Sequence, residues 1–259
     1  GATTPVIISY ATGSYTVPSP ELYVTEATGY TITPLKTSVT AGSNETFTIT
    51  AVAPSGISVS WVPAFISVSP SAGVTYPEVV NASTSGYSFN VTAIKAGTYN
   101  ITAAGGIGPS SLGEVSSASA SWNVIPGTPT KVLVQLSTDV PGYTVDYATG
   151  AVYVTSIQVT DAYGNLETIP NGSIITLTAS AGAFANGMGT WTYTVPSNVT
   201  SVTGPAFYPP AAFGSTSEIS ASVNITSGAY KGVYTGTSNE IITSVNVTAA
   251  PAAVLPSEV

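Results

Sequence analysis

The chain has no cysteine, no histidine and no arginine. Each absence closes a route. Without cysteine no disulfide framework can form, and thiol nucleophiles are excluded. Without histidine the commonest general base is missing, so serine triads lack their usual partner. With both gone, transition-metal sites are disfavoured, and no cofactor is expected. Charge is scarce as well. Only 6% of the 259 residues are Asp, Glu, Lys or Arg, against about 25% in an ordinary soluble domain. The four basic residues are Lys36, Lys95, Lys131 and Lys231, and the net charge is −8. That balance argues against nucleic acid, which needs clustered cations, and against an anionic membrane surface. Mean hydropathy is positive, yet no apolar run approaches the roughly 18–20 residues of a membrane-spanning helix. No membrane-spanning segment is expected. Gly1 in first position reads as a processed or trimmed N-terminus, and "AAPAAVLPSEV" is too short and proline-broken for an anchor.

What is abundant is Ser and Thr, 73 of 259 residues, and Asn-x-Ser/Thr sequons. Sequons occur at Asn44, Asn81, Asn90, Asn100, Asn171, Asn198, Asn224 and Asn246, eight of the twelve asparagines. Chance at this composition would give about three. The excess predicts covalent N-linked glycans and a secreted, extracellular cell-surface location. The competing origin is accident in a Thr-rich strand protein.

Strand signals run throughout, with no sustained helical period. "ETFTITAVA" sets Phe47, Ile49 and Ala51 against Thr46, Thr48 and Thr50. "GYSFNVTAI" opposes Tyr87, Phe89, Val91 and Ala93 to Ser88, Asn90 and Thr92. "GTYNITAAG" and "EISASVNITSG" repeat the pattern, with Tyr99, Ile101 and Ala103, and with Ile219, Ala221, Val223 and Ile225. Such strands belong to antiparallel sheets with one solvated face. The mid-strand sequons Asn90, Asn100, Asn224 and Asn246 fall on the polar phase, so their glycans would point away from a core. Asn44, Asn81, Asn171 and Asn198 sit in turn-like stretches.

"NVIPGTPTKVLVQL" marks the linker, with a new strand from Lys131. The expected organisation is an N-terminal extension over 1–28, a β-sandwich over 29–126, and a second over 127–259 ending in a short tail. The fold class is all-β: two tandem immunoglobulin-like sandwiches behind an extended N-terminal strand. Trp61, Trp122 and Trp191 are expected as core filler.

Two resemblances follow from these residues. From residue 129 onward, "PTKVLVQLSTDV … VYVTSIQVTDAYGNLETIPNGSIITLTASAGAF" resembles the bacterial immunoglobulin-like repeats of invasin-type adhesins, with their Pro-led first strand, matching at Val159, Asp161, Gly164, Asn165, Ile175, Leu177 and Gly182. That resemblance implies a sandwich fold and a surface spacer. The whole layout, cysteine-free and sequon-rich with a free apolar N-terminal strand, is similar to subunits of archaeal thread filaments. It implies a pilus polymerising head to tail by donor-strand complementation, and the low charge would suit a thermoacidophile.

Asp139, Asp146 and Asp161 are the nearest approach to paired catalytic carboxylates, and each lies at or near a turn, where Asp is favoured for local hydrogen bonds. "DAYGN" lacks the carboxylate density of a Ca²⁺ site. An enzyme is not expected. Lys36 with Asn123, or Lys131 with Asn239, could form isopeptide cross-links; exposed lysines near strand ends are the preferred alternative.

Val6, Ile7, Ile8 and Tyr10 form the candidate donor strand, with Val6, Ile8 and Tyr10 on one face. Burying those three would contribute about 1.5–3 kcal/mol each in a neighbour's sheet, making the partner a second copy of this chain. The alternative is an edge strand within its own subunit. Competing functions are a monomeric adhesin, using the 15 tyrosines as sugar-stacking platforms, and a component of a two-dimensional surface layer.

Overall fold

The computed structural model describes residues 27–105, 115–137 and 151–243 in full, and the backbone alone of 8–10, 13–15, 143–146 and 244. Among these the regular structure is all strand. Two compact units divide between Ile125 and Pro126, inside the Pro/Gly stretch that has little to bury.

The first unit contains β1 (Ile8–Tyr10), β2 (Gly13–Tyr15), β3 (Gly29–Pro34), β4 (Ser38–Thr40), β5 (Asn44–Val52) and β6 (Val62–Ser69). It continues with β7 (Val74–Thr75), β8 (Val79–Ala82), β9 (Tyr87–Ala93), β10 (Gly97–Gly105) and β11 (Ala118–Ile125). Alternation decides which face each strand buries. In β5, Glu45, Phe47, Ile49 and Ala51 are buried, while Thr46, Thr48 and Thr50 lie half-exposed between them. One sheet has the order β3-β5-β9-β7, and the other β4-β11-β10-β6-β8. Among the described strands β4 pairs in parallel, with β11. The two inner faces share one core. Trp122 stands at its centre, edge-on to Phe47 and stacked on Tyr99, both at 5.1 Å between ring centroids; aromatic contacts of this geometry add to plain area burial.

The second unit contains β12 (Pro129–Leu136), β13 (Tyr143–Asp146), β14 (Val152–Asp161), β15 (Ile174–Ala179), β16 (Ala183–Phe184) and β17 (Thr190–Thr194). It ends with β18 (Ala206–Tyr208), β19 (Thr216–Ser217), β20 (Ile219–Ile225), β21 (Gly232–Thr237) and β22 (Ile241–Ser244). Its sheets run β12-β14-β18-β16, β13-β22-β19 and β17-β15-β20-β21. Again one early strand, β13, pairs in parallel with the last. The core gathers Ile157, Val159, Ile175, Leu177, Phe184, Phe207 and Val223, each without solvent contact or nearly so. Two glycines are fixed by space. A Cβ on Gly236 would fall 1.8 Å from the Val132 carbonyl oxygen, so β21 and β12 touch through backbone. Gly182 has φ +89°, and a Cβ there would fall 2.5 Å from the Tyr208 carbonyl oxygen, so the glycine closing the invasin-like stretch has a steric reason.

A shared detail identifies the sandwich type. The Tyr99 hydroxyl donates to the Lys95 carbonyl at 2.8 Å, and the Tyr234 hydroxyl to the Tyr230 carbonyl at 2.9 Å. A strand tyrosine bonded to backbone four residues upstream is the tyrosine corner of immunoglobulin-like folds. With the strand order of the first unit, it makes the fold class all-β and immunoglobulin-like.

Three expectations are corrected. Trp61 is 51% exposed rather than core. It precedes β6, where the two-residue period no longer governs which way a side chain points. Tyr87 is 46% exposed although it stands opposite buried Ile49, because it opens β9 directly after the Gly86 turn, where β7 does not flank the strand. β12 begins at Pro129, ahead of Lys131.

Candidate functional site

The residues with most chemical potential are the sequon asparagines on the outer faces and three buried carboxylates. Asn44, Asn81, Asn90, Asn100, Asn171, Asn198 and Asn224 are all exposed; Asn246 lies outside the described residues. The strands place them by parity. Asn90 lies between buried Phe89 and Val91, Asn100 between Tyr99 and Ile101, and Asn224 between Val223 and Ile225. Asn44 and Asn81 are not in turns as expected: Asn44 opens β5 and Asn81 lies within edge strand β8.

These amides are held in place. Antiparallel pairing of β5 with β9 sets Asn44 opposite Thr92 and Thr46 opposite Asn90. The Thr92 hydroxyl donates to Asn44 Oδ1, and the Thr46 hydroxyl to Asn90 Oδ1 at 2.9 Å. On the other sheet Ser121 donates to Asn100 Oδ1 at 2.5 Å. In the second unit Asn198 Oδ1 accepts the Asn171 backbone N–H at 2.9 Å. Two asparagines outside sequons behave differently, donating through Nδ2: Asn165 to Asp161 Oδ2 at 2.8 Å and Asn186 to the Thr190 carbonyl at 2.9 Å.

The buried carboxylates are Glu45, Asp161 and Glu167. Glu45 Oε1 accepts the Lys36 backbone N–H at 2.6 Å. Asp161 closes the turn after β14. Its Oδ1 accepts the backbone N–H groups of Tyr163 and Asn165 at 2.8 and 2.9 Å. Its Oδ2 accepts the Gly127 backbone N–H and Asn165 Nδ2, both at 2.8 Å. Burial alone would push this carboxyl up. The hydrogen bonds from the Asn165 side chain and the Gly127, Asn165 and Tyr163 N–H groups outweigh it and hold the group below its ordinary range. Glu167 goes the other way, raised first by burial and then by the Asp161 charge. Its Oε1 is buried without a hydrogen-bond partner. Both Asp161 oxygens are engaged by N–H donors, so the DAYGN turn is closed by the chain itself. Among the described residues no group of three or more Asp and Glu is placed to hold a metal ion.

Of the donor-strand residues, Val6 and Ile7 lie outside the described residues. Ile8–Tyr10 pairs antiparallel with Gly13–Tyr15 in a short hairpin. Asp139 also lies outside, and Asp146 is on β13. The four isopeptide candidates Lys36, Asn123, Lys131 and Asn239 are all exposed, and Asn123 Oδ1 accepts the Thr98 hydroxyl at 3.4 Å. Sequence reasoning missed Glu45 and Glu167 as buried groups. The signal was present, since Glu45 is in phase with Phe47 and Ile49, and Glu167 with Ile169.

No family model matches the chain, and no curated protein sequence does. Among solved structures, the D0–D1 domain of intimin is 16% identical, over 84% of this chain and 99% of its own, at a TM-score of 0.30. Domains 5–6 of the S-layer protein SbsC are 16% identical over 83% of this chain and 97% of theirs, at 0.27. Invasin, a bacterial integrin-binding protein, is 14% identical over 81% of this chain, at 0.36; the chain spans 38% of invasin's length. At such TM-scores these likenesses carry no argument about function or assembly. The fold rests on strand order and the tyrosine corners.

Proposed function

We propose that this chain is a non-enzymatic structural module of an extracellular surface, an adhesin segment or surface-layer component that carries N-linked glycans on its outer faces. One observation carries the reading: all seven described sequon asparagines are exposed, four of them (Asn81, Asn90, Asn100 and Asn224) between pairs of core residues. Parity alone could put Thr or Ser there; sequons recur instead. With 6% charged residues, the outer faces rely on hydroxyls and, in this reading, on sugar for solvation. Surface labelling of intact source cells, followed by glycopeptide mass spectrometry, tests it. Labelled protein with sugar on these asparagines is expected. Protein shielded from the label, with the mass of its bare sequence, sinks the reading.

A filament built by strand donation from residues 6–10 is the second reading, and the edge strand β8 favours it. There Val79 is 50% exposed beside Phe65 at 38%, which it faces across the ladder. Both sandwiches hold early strands of their own, β3 with β4 and β12 with β13. Donation would therefore add a strand to an edge rather than fill a missing position. Electron microscopy of the chain with and without residues 1–15 decides: filaments from the truncated chain, or none from the full chain, reject it.

A further inference from the structure

Asn44 and Asn90 are each bonded to the residue that makes the other a sequon. Thr92 completes the Asn90 sequon, and its hydroxyl is given to Asn44 Oδ1. Thr46 completes the Asn44 sequon, and its hydroxyl is given to Asn90 Oδ1 at 2.9 Å. The two sequons are paired with each other along the β5–β9 ladder; on their outer sides Thr92 faces Thr75 of β7, and the Thr46 carbonyl accepts the Leu35 N–H at 2.8 Å. In the second unit Ser173, which completes the Asn171 sequon, is fully buried. Asn198 differs, since both it and its sequon hydroxyl Thr200 are exposed outside the named strands, with Val199 between them held to Ile169 by a single bridge.

A sequon is defined by the hydroxyl two residues after the asparagine, so the enzyme that reads it must reach that hydroxyl and the amide together. A hydroxyl buried in the core cannot be reached. One given to the neighbouring strand must first be released, and the ladder around it opened.

We propose that folding closes the Asn44, Asn90 and Asn171 sequons to glycosylation, so that their occupancy is fixed before the strands pair, while Asn198 stays open in the folded protein. This rests on the reading that the chain is N-glycosylated. In the transfer, Asn Nδ2 attacks the anomeric carbon of an oligosaccharide carried on a lipid diphosphate. The C–N bond forms, the anomeric C–O bond breaks, the lipid diphosphate departs, and Nδ2 gives up one proton. Oδ1 is untouched. The bonds that Thr92 and Thr46 make to Asn44 and Asn90 therefore still form in the modified chain. The order runs one way: a modified strand can pair, and a paired strand cannot be modified.

The test uses the full-length chain made in a host without N-glycosylation and folded before use. It is incubated with a single-subunit oligosaccharyltransferase and a lipid-diphosphate-linked oligosaccharide. A parallel full-length chain carries Phe47→Asp and Leu177→Asp, which disrupt both cores and touch no sequon. Glycopeptide mass spectrometry reads each asparagine. The folded chain is expected to carry sugar at Asn198 and none at Asn44, Asn90 or Asn171; the unfolded variant carries it at all four. Sugar on those three in the folded chain, at the rate seen for Asn198, overturns the folding gate. Sugar on Asn198 in the unfolded variant alone overturns its separate status. An unfolded variant modified at none of the four overturns the glycosylation reading, and the gate with it.

Discussion

Asp161 Oδ2 accepts the backbone N–H of Gly127 at 2.8 Å across 34 residues of sequence. The bond fixes the first residues of the second unit to the end of β14. The same carboxylate takes three further N–H donors, and all are stranded if it is removed.

Asp161→Ala should therefore destabilise the second unit by about 3 kcal/mol, since buried donors lose a charged acceptor. Hydrogen exchange at the Gly127, Tyr163 and Asn165 amides should speed up first. Unchanged protection at all three would contradict the network.

Glu167 gives the protein a pH signature of unusual sign. Its folded-state pKa is raised, by burial and by Asp161, so the folded chain holds this proton more tightly than the unfolded chain. Its destabilising effect is fully present above the folded pKa. It is relieved as pH falls, completely so below the ordinary value of about 4.3. Asp161 is lowered, so its contribution is intact above about 3.9 and is lost only as pH falls through its depressed folded value. The thermal midpoint of the second unit should rise from neutral pH toward about pH 4. Glu167→Gln should flatten that rise. An equal rise in the variant would assign it to other carboxylates.

Removing either tyrosine-corner hydroxyl tests the feature on which the fold assignment leans. Tyr99→Phe and Tyr234→Phe should each cost about 1 kcal/mol, and each in its own unit. Chemical denaturation followed separately for the two units reads the difference, and equal loss in both would contradict two independent corners.

Trp122→Ala should cost about 3–5 kcal/mol, by opening a cavity between Phe47 and Tyr99. Trp61→Ala should stay within about 0.5 kcal/mol, since the ring is half exposed. Similar losses at both positions would mean that Trp61 belongs to the core after all.

The two tryptophans also show how far the sequence reached. In strands long enough to alternate, parity predicted burial at most positions, with Tyr87 at the start of β9 an exception. Phe47, Ile49, Tyr99, Ile101, Ile219 and Val223 are buried, and Asn90, Asn100 and Asn224 are exposed. The same rule marked Glu45 and Glu167, but a carboxylate is ordinarily read as a surface group. Whether it is buried depends on donors from distant segments, and one residue's place in the pattern does not supply them.

By itself, then, the sequence determined the all-β class and the face that most side chains of an alternating strand take, because a strand's two-residue period is a local property of the backbone. Tertiary structure decided which strands lie side by side. Only that register sets Thr92 against Asn44 and Thr46 against Asn90, bonds Gly127 to Asp161, and seals the Ser173 hydroxyl inside the fold. Such pairings join residues tens of positions apart, and they arise from packing two sheet faces on a common core, which no single strand encodes.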